Sequence, residues 1–449
     1  MQVNTENLSA FLDTIPNSKR YLIAYSGGLD SHVLLHLMAC LGREDGVSVR
    51  AVHVNHNIQP ESRSWTGHCR KVCRALDVEL EVLDVDASSP GKESPEGWAR
   101  HKRYSAIEDI LADGEVLLTA HHRDDQLETF LLRLLRGSGV LGLASMRAVR
   151  RFGKGLHARP LLHYSREQLL AYARLHDLDW IEDPSNADKR PDRNYLRHEV
   201  VPAIKDRWPS VAQPLSRAID TLAETQELLD DLARQDLLIC GAEDPGALHV
   251  ERVKRLPAPR QKNMLRYWCR ILDLPVPDSR RLSHILTDVV GARRDSKARV
   301  RWKGAELQRY GQYIHLGAPL EDFDNTAVKV WDFTGPCRLD HGELTAVEGR
   351  GSGLKQQACA GARVEVRYRT GGEKIRLPGR HCTHRLKKLF QEAGTPPWLR
   401  ERIPLIYVND RLAMVAGFWT DAEFLAAGDE PSWVITWTGQ TTGNSVVNK

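Results

Sequence analysis

The residues best equipped for chemistry in the first part of the chain are Ser26-Gly-Gly-Leu-Asp-Ser31, which follow the apolar run Tyr21-Leu-Ile-Ala-Tyr25. This order predicts a short buried strand, a tight polar turn, and a helix from about Asp30 to Leu41. A strand that passes through glycines straight into a helix leaves free backbone N–H groups at the helix start, where the positive end of the helix dipole also attracts an anion. Gly27 and Gly28 have no Cβ to hold phosphate oxygens away from the backbone, and Ser26 and Ser31 add hydroxyl donors. Asp30 does not suit a bare anion site, because a carboxylate beside phosphate is repulsive unless a divalent cation bridges the two. The stretch Ser26, Gly27, Gly28, Leu29, Asp30, Ser31 therefore reads as a pyrophosphate cradle for Mg-ATP, with Asp30 as the Mg²⁺ ligand. A plain glycine turn before a core helix is the alternative. Gly-Gly alone would leave that alternative standing, but the full S-G-G-x-D-S pattern after an apolar strand outweighs it. No Gly-Lys-Ser/Thr follows, so the stretch is not a Walker A loop.

A second reactive cluster is His121-His-Arg-Asp-Asp-Gln-Leu-Glu128. On a helix, the pairs Asp124/Glu128 and Asp125/Glu128 each share a face. Carboxylates grouped in this way could bind Mg²⁺ or clamp a cationic substrate. A zinc site is disfavoured, since the H-E-x-x-H spacing is missing and no cysteine is near. The plain alternative is a solvated helix start, where acids favour the dipole.

The elements that must position these groups alternate. A strand is expected over Val49–Val54, a helix over about Ser62–Leu76, and a strand over Leu80–Val85. A helix over about Pro95–Ala112, a strand over Glu115–Thr119, and a helix closing at Arg136-Gly137 follow. This alternation predicts an α/β fold with a doubly wound parallel sheet, whose ligands sit beyond the carboxyl ends of its strands. Three polar clusters fall at those ends: Ser26–Ser31, Asn55–Asn57 and His121–Glu128. Farther on come a turn-rich loop, Trp180–Asn186, and Arg193-Asn-Tyr-Leu-Arg197, with Asn194 as helix N-cap. The expected organisation is a nucleotide-binding domain over 1–210 and a helical connector and module over 211–320. A linker with short strands over 321–361, a small mixed α/β domain over 362–438 and a disordered tail over 439–449 complete it.

The bulk numbers are ordinary for a globular protein: 449 residues, 41% apolar and 27% charged, with 63 basic and 59 acidic residues. No apolar run is long enough for a bilayer, and Met1–Asn7 lacks the basic and apolar regions of a signal peptide, so a cytosolic protein with no membrane partner is expected. Oligomeric state stays open. The eight cysteines form no C-x-x-C pair; Cys69 and Cys73, one helical turn apart, suit reduced thiols on one helix face, and neither disulfides nor zinc are expected.

The S-G-G-x-D-S stretch resembles the loop of N-type ATP pyrophosphatases. Taken with His121–Thr129, Val52–Asn57, Ala99-Arg100/Arg103-Tyr104 and Arg193-Asn194/Arg197, the sequence is similar to the tRNA(Ile)-lysidine synthetases over about residues 20–205. The resemblance implies a ligase that uses ATP and Mg²⁺ to join free L-lysine to C2 of the wobble cytidine in a CAU-anticodon isoleucine tRNA, through an adenylated cytidine. It implies that the end of the second strand, around His53 and Asn55, meets adenine. It also implies that Asp125 and Glu128 bind the lysine amines, that Arg100 steadies phosphate or the activated cytidine, and that Arg193 and Arg197 hold phosphate or tRNA. Arg100 in a helix salt bridge and Asn194 as a simple cap are the plain alternatives.

Such an enzyme must also grip RNA. Basic residues crowd the span Arg363–Arg402, and Arg376, Arg380, Arg385, Lys387 and Lys388 alternate there with apolar positions, as an RNA-backbone surface would. A charge run is otherwise just a solvated face. Arg293, Arg294, Lys297, Arg299, Arg301 and Lys303 form a second basic cluster. Three rivals compete. A tRNA thiolase would need reactive cysteines, and none lies in the converging loops. A small-molecule adenylating ligase would leave the basic C-terminal domain without a task. An RNA-binding protein with a dead nucleotide fold is at odds with the intact Ser26–Ser31 and Asp124–Glu128.

Overall fold

The computed structural model describes residues 2–16, 18–55, 62–86, 95–242, 244–294, 296, 298–320, 323–380 and 382–439. His56, Asn57, Lys297 and the tail from 440 onward, all named above, lie outside them. The chain divides into two compact units, residues 1–228 and 229–449. No described helix is long and apolar enough to cross a membrane.

In the first unit, α1 (Thr5–Leu12) precedes β1 (Arg20–Ala24), α2 (Leu29–Asp45), β2 (Ser48–Asn55), α3 (Ser62–Ala75) and β3 (Glu79–Asp84). The chain then crosses to α4 (Pro95–Ile110), β4 (Val116–Leu118), α5 (Arg123–Leu135) and the short α6 (Val140–Leu143). β5 (Val149–Phe152), β6 (Gly155–Ala158) and α7 (Arg166–Leu175) follow. A last helical run is α8 (Asp192–Tyr195), a π-helical turn (Leu196–Val200) and α9 (Val201–Arg207).

The sheet order is β3-β2-β1-β4-β6-β5. β1 pairs in parallel with both β2 and β4, so the winding reverses direction between β1 and β4. That reversal opens a crevice at the strand ends, as in other open α/β sheets. Successive β1 side chains serve opposite faces. Tyr21 and Ile23 pack with α1, α2, α3 and α7, while Leu22 packs with Ile107 and Leu111 around α4. Both faces are dry, which accounts for the apolar run. The sheet is parallel from β3 through β6, and β5 adds an antiparallel strand at the edge. The hairpin turns at Gly153, whose φ of +49° favours glycine.

Helix α10 (Ala212–Cys240) spans the boundary between the units. In the second unit, β7 (Ala247–His249), α11 (Val250–Arg255), α12 (Ala258–Ile271) and α13 (Ser279–His284), which continues through a π-helical turn, pack on a sheet. That sheet has the order β7-β10-β9-β8, with β8 (Arg299–Trp302), β9 (Ala305–Tyr310) and β10 (Tyr313–Gly317). The region expected to be a helical module with a short β piece is thus a four-stranded sheet with helices, cored by Trp268, Met264 and Ile314.

The remaining strands are β11 (Lys329–Val330), β12 (Cys337–Leu339), β13 (Gly342–Arg350), β14 (Leu354–Lys355), β15 (Val364–Arg367), β16 (Lys374–Ile375), β17 (His384–Arg385), β18 (Leu405–Val408), β19 (Arg411–Val415), β20 (Trp419–Thr420) and β21 (Pro431–Gly439). The helices among them are α14 (Gln356–Cys359), α15 (Leu386–Glu392) and α16 (Pro397–Arg400). Two antiparallel sheets, β11-β15-β18-β19-β20 and β12-β13-β21-β14, enclose one core containing Trp331, Leu344, Ile406 and Ile435.

The stretch 321–361 therefore departs from its reading as a linker, since β11 to β14 supply strands to these two sheets. Two glycines of this stretch sit against neighbouring backbone. A Cβ on Gly351 would lie 2.2 Å from the Gly428 carbonyl oxygen, and one on Gly353 would lie 2.3 Å from that of Trp433. Those glycines let backbone pack against backbone.

Candidate active site

Within the first unit, a cavity of about 680 Å³ opens at the reversal point. The β1–α2 turn, α4, the β4–α5 turn, the loop 180–187 and Arg197 line it. The turn is built as its sequence demands. Gly27 has φ +86°, and a Cβ there would meet Ile181 at 2.9 Å and the Cys69 sulfur at 3.1 Å. The Ser31 hydroxyl donates to the Gly28 carbonyl at 2.9 Å and accepts from the Ser26 amide at 3.2 Å. Ser26 Oγ stands 3.0 Å from Ser31 Oγ. Gly28 is the N-cap of α2 and has no side-chain cap, so the first amides of that helix keep no side-chain acceptor there.

Asp30 reaches across this cavity. Its Oδ2 lies 3.6 Å from His122 Nε2, and its Oδ1 is buried without a hydrogen-bond partner. A buried carboxylate oxygen with no partner, beside a phosphate-type turn, fits a hard divalent cation. Among the described residues no group of three His, Cys, Asp or Glu side chains could hold a metal. The remaining ligands of such a cation would thus be substrate oxygens and water.

The second reactive cluster does meet the first. His122 Nε2 is 3.4 Å from Asp125 Oδ2, so one buried imidazole spans Asp30 and Asp125. Burial works against a charged ring at His122, but the carboxylates of Asp125, Asp30 and Asp124 outweigh it and raise its pKa. Asp125 also accepts the His122 backbone N–H at 3.0 Å, so it caps α5. Burial pushes the Asp125 pKa up, yet the charges of His122 and Arg193 prevail and hold it at about 2.

Asp125 and Glu128 are not open to solvent but face two guanidiniums. Arg193 donates to Asp125 at 2.8 Å and to Glu128 at 2.8 Å. Arg197 donates to Glu128 at 2.6 and 2.9 Å and to Asp125 at 3.3 Å. Asp124 turns elsewhere, accepting from Lys205 at 2.5 Å and from the Arg166 amide at 2.9 Å. Neither Lys205 nor Arg166 carried a signal in the sequence, because both partners are distant along the chain.

Arg100 lines the cavity, is exposed, and sits 5.1 Å from the Tyr104 ring. His53 and Asn55 do not line the cavity. The His53 ring contacts the Tyr25 carbonyl at 3.0 Å, and Asn55 donates to Asp84 at 2.9 Å. A ring so placed steadies the cradle from behind. Asn194 is not a cap either: it lies inside α8 and donates to the carbonyls of Ser185 and Asp188, tying down the loop that walls the cavity. Sequence reading also missed the chain His121–Thr119–His157, joined by contacts of 2.8 Å at each side of the Thr119 hydroxyl.

Comparison with known proteins fits this geometry. The PP-loop domain family matches residues 1–204, the TilS substrate binding domain matches 237–315, and the TilS substrate C-terminal domain matches 364–437. The tRNA(Ile)-lysidine synthase of Methylococcus capsulatus is 41% identical over 96% of this chain and 99% of its own length. That of Coxiella burnetii is 39% identical over 95% of each chain. The chain belongs to the tRNA(Ile)-lysidine synthase family.

In this family member the basic run of the second unit separates into two classes. Arg363, Arg367 and Arg369 are paired with Glu365, Glu365 and Asp410, and Glu373 respectively, and Arg400 is buried. These brace the sheets. Arg376, Arg380, Arg385, Lys387 and Lys388 are exposed, and among the described residues their ion pairs are long, Arg376 to Glu423 at 3.8 Å and Lys388 to Glu392 at 3.9 Å. Leu386, Leu389 and Phe390 bury one face of α15, which forces Lys387 and Lys388 outward. The β16–β17 hairpin sets Arg385 beside them.

Proposed function

We propose that this protein makes lysidine, joining L-lysine to C2 of the wobble cytidine of an isoleucine tRNA with a CAU anticodon at the expense of ATP. The reading rests on one observation above all: in a member of this family, the Ser26–Ser31 turn and His122 line one cleft, and His122 links Asp30 there to Asp125 at the start of α5.

In the first step the C2 oxygen of the cytidine attacks the α-phosphorus, and pyrophosphate leaves. The Ser26–Ser31 turn and the α2 N-terminus hold the departing charge. A Mg²⁺ ion held by Asp30 and phosphate oxygens would neutralise that charge further. Arg100, on the cavity wall, steadies the adenylated base. In the second step the ε-amine of lysine, neutral when it reacts, attacks C2; the C2–O bond breaks and AMP leaves. Lysine enters as a dication with one carboxylate. Asp125 and Glu128 seat its amines, and the displaced guanidiniums of Arg193 and Arg197 become free for its carboxylate or for phosphate. The exposed face of α15 and its hairpin holds tRNA backbone.

A sulfur-transferring relative is the nearest other reading. Cys69, the cysteine behind the cradle, is buried and its thiol pKa is pushed up to about 12, so it does not supply a thiolate. Incubation with labelled lysine, Mg-ATP and a CAU-anticodon transcript tests the proposal. Label in the RNA with stoichiometric AMP and pyrophosphate is expected; sulfur transfer, or free aminoacyl product without labelled RNA, would refute it.

A further inference from the structure

The second unit contains a groove of its own, of about 940 Å³, where α15 and α16 meet the β9–β10 hairpin. Its volume lies at the upper end of the roughly 300–1,000 Å³ of small-molecule sites. The floor is rigid. Arg400, buried, donates to the Thr395 carbonyl at 2.8 Å and to the Tyr310 hydroxyl at 2.5 Å. Trp398 stands edge-to-face with His315 at 5.6 Å and with Tyr310 at 6.2 Å. Tyr310 is thus spent on the joint, whereas Trp398 and Tyr313 are half-buried and keep ring surface in the groove. Arg294 and Arg299 are exposed on its wall; Arg299 lies 3.9 Å from Glu306, which is engaged mainly by Arg301. Glu392 and Glu401 are on the wall as well.

We infer that this groove binds unpaired nucleotides of the RNA substrate, with bases against Trp398 and Tyr313 and phosphates at Arg294 and Arg299. The inference rests on the RNA-modifying reading above. Bases in a duplex are already stacked and paired, so aromatic rings of this kind take only unstacked ones. Arginines fit phosphate oxygens, and the acids repel them, which directs the backbone to the Arg294 and Arg299 side. The exocyclic amino groups of bases then face Glu392 and Glu401, which accept hydrogen bonds.

Affinity is measured with the full chain, without ATP or lysine, for a CAU-anticodon transcript, for the same transcript lacking its unpaired 3′ nucleotides, and for a short single-stranded oligoribonucleotide. Trp398→Leu should weaken binding of the whole transcript about tenfold, while Trp398→Tyr keeps most of the affinity. A loss confined to the RNA with an intact 3′ tail identifies the tail as occupant; an equal loss with both transcripts identifies loop nucleotides. Either result upholds the groove. Because Trp398 also packs against its neighbours, Arg294→Gln/Arg299→Gln, at exposed positions, provides the independent arm and should weaken binding and flatten its salt dependence. Unchanged affinity and salt slope in the arginine variant, or unchanged affinity in a folded Trp398→Leu variant, overturns the inference. A wild-type protein that binds the transcript but makes no lysidine refutes the proposed function and leaves the groove standing.

Discussion

Asp125, Glu128, Arg193 and Arg197 form a closed set of two buried acids and two guanidiniums. Removing one partner from such a set leaves an unpaired charge, at a cost of about 3–5 kcal/mol. Conservative amides are therefore the better probes. Asp125→Asn and Glu128→Gln should raise the KM for lysine at least about tenfold while leaving ATP binding close to wild type; unchanged lysine dependence would remove both residues from that role. At Gly27 the argument is steric. Gly27→Ala meets both φ +86° and a 2.9 Å approach to Ile181, so ATP affinity should fall about tenfold or more, checked by nucleotide titration. The cradle was legible because its residues are neighbours in sequence. The acids were legible as a cluster, but their partners were not: Arg193 lies 65 positions from Glu128, and no spacing rule reaches that far.

Helix α15 buries Leu386, Leu389 and Phe390 and turns Lys387 and Lys388 outward. Lys387→Gln/Lys388→Gln should leave folding intact, weaken tRNA binding, and reduce the slope of log affinity against log salt by about 1–2. A slope equal to that of wild type would make the helix plain solvated surface. The sequence showed a basic run but not which members are already neutralised, since ion pairs such as Arg367–Asp410 form only when β15 and β18–β19 come together. Alternating strands and helices in the first unit were legible because the central strands β1 and β4 are dry on both faces and so read as apolar runs between polar segments. The β5–β6 hairpin was not, because four-residue strands carry too little pattern.

The whole molecule carries a pH liability in its first unit. Burial holds His36 at about 4, His121 at about 3 and His157 at about 2, all below their ordinary value. The folded state binds fewer protons than the unfolded chain between these values and about 6.5, so stability is full above 6.5 and falls with acid. Each group contributes up to about 1.4 kcal/mol per pH unit in that window. Tm should therefore drop between pH 6.5 and 5, and His157→Gln should shallow the drop; a flat profile would contradict the burial argument. At this scale the stretch 321–361 was misjudged because glycine signals either looseness or tight backbone contact, and only the partner strands decide which. β21 lies in the middle of its sheet, between β13 and β14, and matches β13 along nine residue pairs from Gly342–Gly439 to Arg350–Pro431. A ribosome that stopped just short of Pro431 would already have made every lysine and arginine of the 374–388 surface. Its product would still lack the strand that joins β13 to β14, and with it the middle of one of the two sheets that enclose that domain's core.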